Sequence, residues 1–224
     1  MAASRKQKRK QSLDPGDPPY ASYQHEHARM ELDSHADTCA LGRTCLVFGD
    51  TGRTVDVGGF GESIGSVEDV SIVHAAVAYD CPTTFKTYVL IYHEALYFPE
   101  METHLINPAQ MRDQGIQVED IPLQQLPADK RNKHSHSIVS QEPFLHIPLK
   151  LKGTMSGFTI RKPTWDEVMD DEKAIKVHMT SDAEWKPHSN TFADVEDALR
   201  AELDRDITLQ HNIGLMQARG QVEL

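Results

Sequence analysis

The chain has 224 residues, of which 39% are hydrophobic and 25% charged, and carries a formal net charge of -11 at pH 7. That length suits one well-buried domain with appendages or two small domains. No apolar run reaches the roughly 20 residues that a membrane span needs, so neither a membrane protein nor a fibrous one is expected. The acidic balance gives no footprint for nucleic acid, and any such contact would rest weakly on Arg5, Lys6, Lys8, Arg9 and Lys10 alone.

Residues 1–27 are rich in Lys, Gln, Ser and His, and Pro15, Pro18 and Pro19 break any periodicity, so a flexible basic leader is expected there. Short apolar runs then alternate with glycine turns. Cys45–Phe48, Thr54–Val57 and Val70–Tyr79 read as strands closed by Gly49, Gly52, Gly58 and Gly59. The span from Thr84 to Phe98 is dense in β-branched and aromatic residues and predicts one long strand, or two with a bend near His93 and Glu94, stopped by Pro99. Asn107 as cap, Pro108 in the first turn and Gly115 at the exit predict a short helix.

Residues 127–137 are polar and read as an exposed loop in which His134 and His136 are solvated. Phe144–Leu151 and Gly157–Ile160 read as a hairpin. Thr164 to Glu167 has the spacing of a capping box, and Phe192–Leu203 has apolar residues at helical spacing. Trp165 and Trp185 are expected to anchor a core or an interface.

Cys39, Cys45 and Cys81 are odd in number, show no C-x-x-C pair and follow no apolar leader, which points to a reducing compartment, cytosol or nucleus, and not to secretion. His35, Asp37 and Cys39, with Cys45 or His74, are ligand-capable types, yet their spacing matches no zinc pattern, so no metal and no cofactor are expected. Gly58, Gly59, Gly61 and Gly65 miss the spacing of a dinucleotide loop and fit a hairpin tip, with Gly59, Phe60 and Gly61 as candidates to cover a substrate.

The chemically informative stretch is Glu31-Leu-Asp-Ser-His-Ala-Asp-Thr-Cys-Ala-Leu-Gly42, an apolar approach that delivers an acid, a hydroxyl, a small residue and a second acid. It resembles the active-site signature of retropepsin-like aspartic proteases. A second run, Glu94–Glu100 followed by His104–Met111, resembles the segment that follows that signature in copia-type retrotransposon polyproteins. The resemblance spans about residues 29–190.

It implies a mainly β fold, a retropepsin-like half-barrel with one short helix over 28–120, then a linker over 121–140 and a smaller α+β extension over 141–224. It implies Asp33 as the catalytic carboxylate, Ser34 as the hydroxyl that braces the loop, and Asp37 as an acid holding substrate or dimer. His35 and Ala36 would line the substrate site. With one aspartate per copy, catalysis implies a homodimer acting on a polypeptide, because two carboxylates at contact distance cannot both ionise and so supply an acid and a base together. His35 stands where the family has glycine, and the alternative reading is a catalytically decayed or domesticated fragment that serves as a dimerisation or peptide-binding module.

Overall fold

The computed structural model describes residues 27–58 and 65–218, so residues 1–26 of the expected leader and the hairpin-tip candidates Gly59, Phe60 and Gly61 lie outside the described residues, while His27, placed in the leader, begins a strand. The fold is mainly β and is organised around two central strands, β4 (Ser66–Asp80) and β5 (Thr87–Tyr97), paired antiparallel. Both carry near-continuous apolar runs, the pattern of strands covered on two faces. Val73, Ala75, Val77, Leu90 and Tyr92 face the main core, while Ala76, Val89 and Ile91 face a second cluster with Val168 and Ala174. Of the two expected forms β5 takes the single long strand, with an irregularity at the place named for a bend: Glu94 has φ +53°, and the register shifts between Val73 and Ala75.

β3 (Leu46–Gly58) lies outside β4 and is one strand where two were expected. Gly49 and Gly52 do not end it. They sit at register shifts between Val47 and Gly49 and between Asp50 and Thr54, and Gly52, at φ +73°, donates its N–H to Asp50 Oδ1 at 2.8 Å. Turn chemistry was absorbed here as bulges.

On the other side β5 runs parallel to β2 (Ala40–Leu41), β2 antiparallel to β6 (His104–Ile106), and β6 parallel to β1 (His27–Leu32). The two strands β1 and β2 therefore flank β6, and residues 33–39, which join them, cross its end. β6 runs straight into α1 (Pro108–Asp113), where Asn107 caps by accepting the Gln110 N–H and Gly115 turns the chain at φ +85°.

The expected borders at 120 and 141 do not separate bodies. β7 (Gln117–Glu119) pairs with β8 (Ser137–Gln141), which pairs with β9 (Phe144–Pro148), so residues 121–136 are an excursion within one small sheet. Phe144–Leu151 is split between β9 and β10 (Lys150–Lys152), and only β10 forms the hairpin with β11 (Met155–Arg161). β11 also pairs with β1 from His27↔Arg161 to Glu31↔Gly157 and touches β4 at Arg161↔Ala78. β12 (Ile175–His178) runs parallel to β5. The physical reason is edge satisfaction: β1 and β5 would otherwise expose unpaired backbone groups, and the later segments supply the partners. His136 is buried, with Nε2 at 2.8 Å from Ser156 Oγ, and is not the solvated residue expected.

α2 (Trp165–Met169) begins with the expected capping box, Thr164 Oγ1 accepting the Glu167 N–H at 3.2 Å and Glu167 Oε2 accepting the Thr164 N–H at 2.8 Å. The Glu167 carboxylate also accepts from Arg161 Nη2 at 2.6 Å, and Arg161 Nε donates to Asp80 Oδ2 at 2.7 Å. Arg161 so ties the ends of β11, β4 and α2. Its hydrogen bonds hold the Glu167 carboxyl below the usual range, and they outweigh burial at Asp80, whose carboxyl is also lowered. All these elements belong to a unit that ends at Trp185, and residues from Lys186 onward form a second unit dominated by α3 (Thr191–Ala218), longer than the helix expected over 192–203. No helix among the described residues is long and apolar enough to cross a membrane.

Candidate active site

Asp33 is placed by β1 and β6 together. Its N–H donates to the Ile106 carbonyl at 3.0 Å, continuing the parallel pairing by one residue, after which the chain must turn. The turn is closed by the carboxylate itself, because Asp33 Oδ1 accepts the N–H of His35 at 2.9 Å and of Ala36 at 3.3 Å. This is the local preference of aspartate for its own downstream amides, here used at the tip of a loop whose Ser34, His35 and Asp37 are exposed. His35 is not among the described non-glycine residues at positive φ, so its Cβ meets none of the backbone strain that glycine would relieve. Sequence-expected residues Asp33, Ser34, His35, Ala36 and Asp37 thus share one loop.

The rest of that loop is held by groups on neighbouring elements. Asn107 Nδ2 donates to the Ala36 carbonyl, and Gln110 Oε1 accepts the Cys39 N–H at 2.9 Å. Gln110, only 2% exposed, also donates through Nε2 to the Glu94 carbonyl at 3.2 Å. The Trp185 indole Nε1 donates to the Asp37 carbonyl at 2.8 Å. Asn107 was legible as a helix cap, whereas Trp165 and Trp185, expected as core or interface anchors, join no core cluster: Trp165 is 54% exposed and Trp185 is half-buried, held by polar contacts. Gln110 lies in the second motif, but nothing in its spacing marks it as the bridge between loop and bend.

Glu94, 4% exposed, takes Arg53 Nη2 on its carboxylate and the Trp185 backbone N–H at 3.3 Å on Oε2. The Glu94 hydrogen bond raises the Arg53 guanidinium further above its ordinary value. A buried carboxylate needs such a partner, and this one links β3, β5 and the segment after β12.

Cys39 and Cys45 are not arranged as ligands. Burial pushes the Cys39 thiol up to about 12, and its Sγ accepts the Asn107 N–H at 3.2 Å. Burial likewise pushes Cys45 up to about 11. His74 faces elsewhere: His93 Nδ1 lies 3.1 Å from His74 Nδ1, and His93 Nε2 lies 2.9 Å from His178 Nδ1. Burial, then the two flanking imidazoles, lowers the His93 pKa. This chain across β4, β5 and β12 was not foreseen, because His178 reaches β5 only through a parallel pairing that local pattern does not encode. Among the described residues no group of three or more His, Cys, Asp or Glu side chains is arranged so that it could hold a metal ion.

A cleft of about 540 Å³ is bounded by Cys45, Val47, Ser71, Tyr97, Lys162 and Trp165, and contains none of the loop residues 33–39. Compared with known proteins, the chain matches no family model, no curated protein and no solved structure.

Proposed function

We propose that the chain is an aspartic endopeptidase of the retropepsin kind, derived from a copia-type retroelement polyprotein and working as a homodimer in the cytosol or nucleus. The observation that carries this reading is the crossing at Asp33: two strands flank a third, and the loop between them presents an acid whose own turn amides point at it. The strands from β1 to β6 would form the half-barrel of that fold, with the exposed outer ends of β3 and β4 as the hairpin over the substrate.

The chemistry follows from pairing two such loops about a two-fold axis. One Asp33 keeps a proton and the other takes one from a water held between them. The water oxygen bonds to the scissile carbonyl carbon while the protonated Asp33 gives its proton to the carbonyl oxygen. The resulting diol collapses as the Asp33 that took the water's proton passes it to the amide nitrogen, the other Asp33 takes a proton from a diol hydroxyl, and the C–N bond breaks, which leaves one acid and one amine and one proton on the pair. The N–H groups of His35 and Ala36 donate to Asp33 Oδ1 and so fix the direction in which the carboxylate faces, and Ser34 would brace the two loops.

The second reading, a dimerisation or peptide-binding module that no longer cuts, draws on His35, exposed at the loop tip where a second copy must approach. Incubating the full chain with an unfolded protein at about pH 5, with and without a transition-state peptide inhibitor of aspartic proteases, separates the two. Inhibitor-sensitive cleavage that Asp33→Asn abolishes supports the enzyme. Cleavage undiminished by Asp33→Asn moves the active site elsewhere, and an inert wild type that His35→Gly revives marks a relic.

A further inference from the structure

The unit expected to suffice for the site ended at residue 120, and of the residues that fix the Asp33 loop and its supports Asn107, Gln110 and Glu94 lie inside it, whereas Trp185 lies beyond it. Trp185 is the outlier: it lies 148 positions from Asp37 in sequence and on no regular element. It arrives at the end of a strap that begins with β12. Val177 and Met179 are fully buried, the Met179 N–H donates to the Ile91 carbonyl at 2.8 Å, and Thr180 Oγ1 both accepts the His93 N–H and donates to the His93 carbonyl, each at 2.8 Å. These contacts fasten the strap to β5 up to Thr180.

Beyond Thr180 the strap is held by polar contacts. Ser181 Oγ accepts the Ala183 N–H at 3.1 Å, Glu184 lies 3.4 Å from Arg53, and the Trp185 N–H reaches the Glu94 carboxylate. The indole then closes on the Asp37 carbonyl. Glu94 is thereby the keystone: through its carbonyl it orients Gln110, which holds Cys39, and through its carboxylate it orients Trp185, which holds Asp37. The two ends of residues 37–39 are set from one buried acid.

We infer that Trp185 is a positioning residue of the Asp33 site, its indole N–H fixing the Asp37 carbonyl, so that the strap from Ile175 to Trp185 completes the site and the functional unit ends after Trp185. The strap acts by limiting the excursions of the loop that carries Asp33, which is the kind of precision that a two-carboxylate site needs across a dimer axis. The inference rests on the retropepsin reading for its catalytic consequence and on geometry alone for the clamp.

The test uses the full chain and Trp185→Phe, which keeps ring bulk and removes the N–H donor, with Trp185→Ala as a second variant. Amide hydrogen exchange at His35, Ala36 and Cys39 reads the clamp whether or not the protein cuts. Loss of one neutral hydrogen bond predicts exchange faster by about five- to ten-fold at these amides in Trp185→Phe, with exchange in β4 and β5 unchanged. Where the wild type cleaves unfolded casein, kcat should fall by about the same factor with KM unaltered, since the reacting groups and not the substrate contacts are loosened. Unchanged loop exchange in both variants overturns the clamp even if Asp33 proves catalytic. Faster loop exchange with no effect on kcat, or a rise in kcat on removing the ring, overturns the positioning role. A wild type that never cuts removes the enzyme reading while the exchange result still decides the clamp.

Discussion

His104 makes the fold acid-sensitive in a way that can be measured at one side chain. It is fully buried in β6 beside the site, its Nδ1 accepts the Gly42 N–H at 3.1 Å, and its Nε2 lies 2.6 Å from Thr44 Oγ1. The accepting Nδ1 requires a neutral ring protonated at Nε2, which then donates to the threonine. Burial lowers the pKa from 6.5 to about 4. The unfolded chain therefore binds a proton below 6.5 that the folded one refuses, so the stability is fully present above that value and is lost as pH falls toward the folded pKa. The full loss is about 3 kcal/mol, of which about 2 kcal/mol has gone by pH 5, a large part of the 5–15 kcal/mol of an ordinary domain. Urea unfolding at about pH 7, 6, 5 and 4.5, followed by circular dichroism, measures it. His104→Asn keeps an acceptor near Nδ1, lowers stability at neutral pH through the cavity it leaves, and should flatten the pH dependence by about 2 kcal/mol between neutrality and pH 5. Parallel pH profiles for wild type and His104→Asn would refute the reasoning, since His93, His136 and His146 contribute equally to both.

Gly42→Ala should lower stability by about 3 kcal/mol or prevent folding, because a Cβ there would collide with the Met101 carbonyl oxygen; urea midpoints decide it. Arg161→Leu should cost about 2–3 kcal/mol near neutral pH, and the deficit should shrink below about pH 4, where Asp80 and Glu167 lose the charge that Arg161 stabilises; thermal melts at the two pH values test the sign. Cys81 should react with a maleimide ahead of Cys39 and Cys45 in the native protein, since hydrogen bonds from Thr83 and Thr84 outweigh burial and lower its thiol while burial raises the other two. Peptide mass mapping after brief labelling reads that order.

What the sequence conveyed follows the range of the forces involved. The caps at Asn107 and Thr164, the irregularity at Glu94 and the exit at Gly115 are local, and each was legible from a few neighbouring residues. The acid loop was picked out by resemblance and not by its turn chemistry, although the turn that Asp33 closes on His35 and Ala36 is equally local. Pairing between β1 and β11, or β5 and β12, depends on which edges remain open after everything else has folded, and no short pattern states that. The glycines of β3 were misread because bulge and turn use the same residues. Gln110 and the histidine chain escaped because their roles come from partners far along the sequence.

The pairing of β1 with β11 also sets a schedule. Residue 27 is synthesised about 130 positions ahead of its antiparallel partner Arg161. At about 5–20 residues per second, β1 waits roughly 7–25 seconds for that edge to be covered. During translation the stretch with Asp33 exists before the strand that flanks it, and a contact this distant in sequence is also slow to close once both parts are made. Under the proposed reading, the loop that carries Asp33 therefore has its full set of flanking strands only after residue 161 has been made.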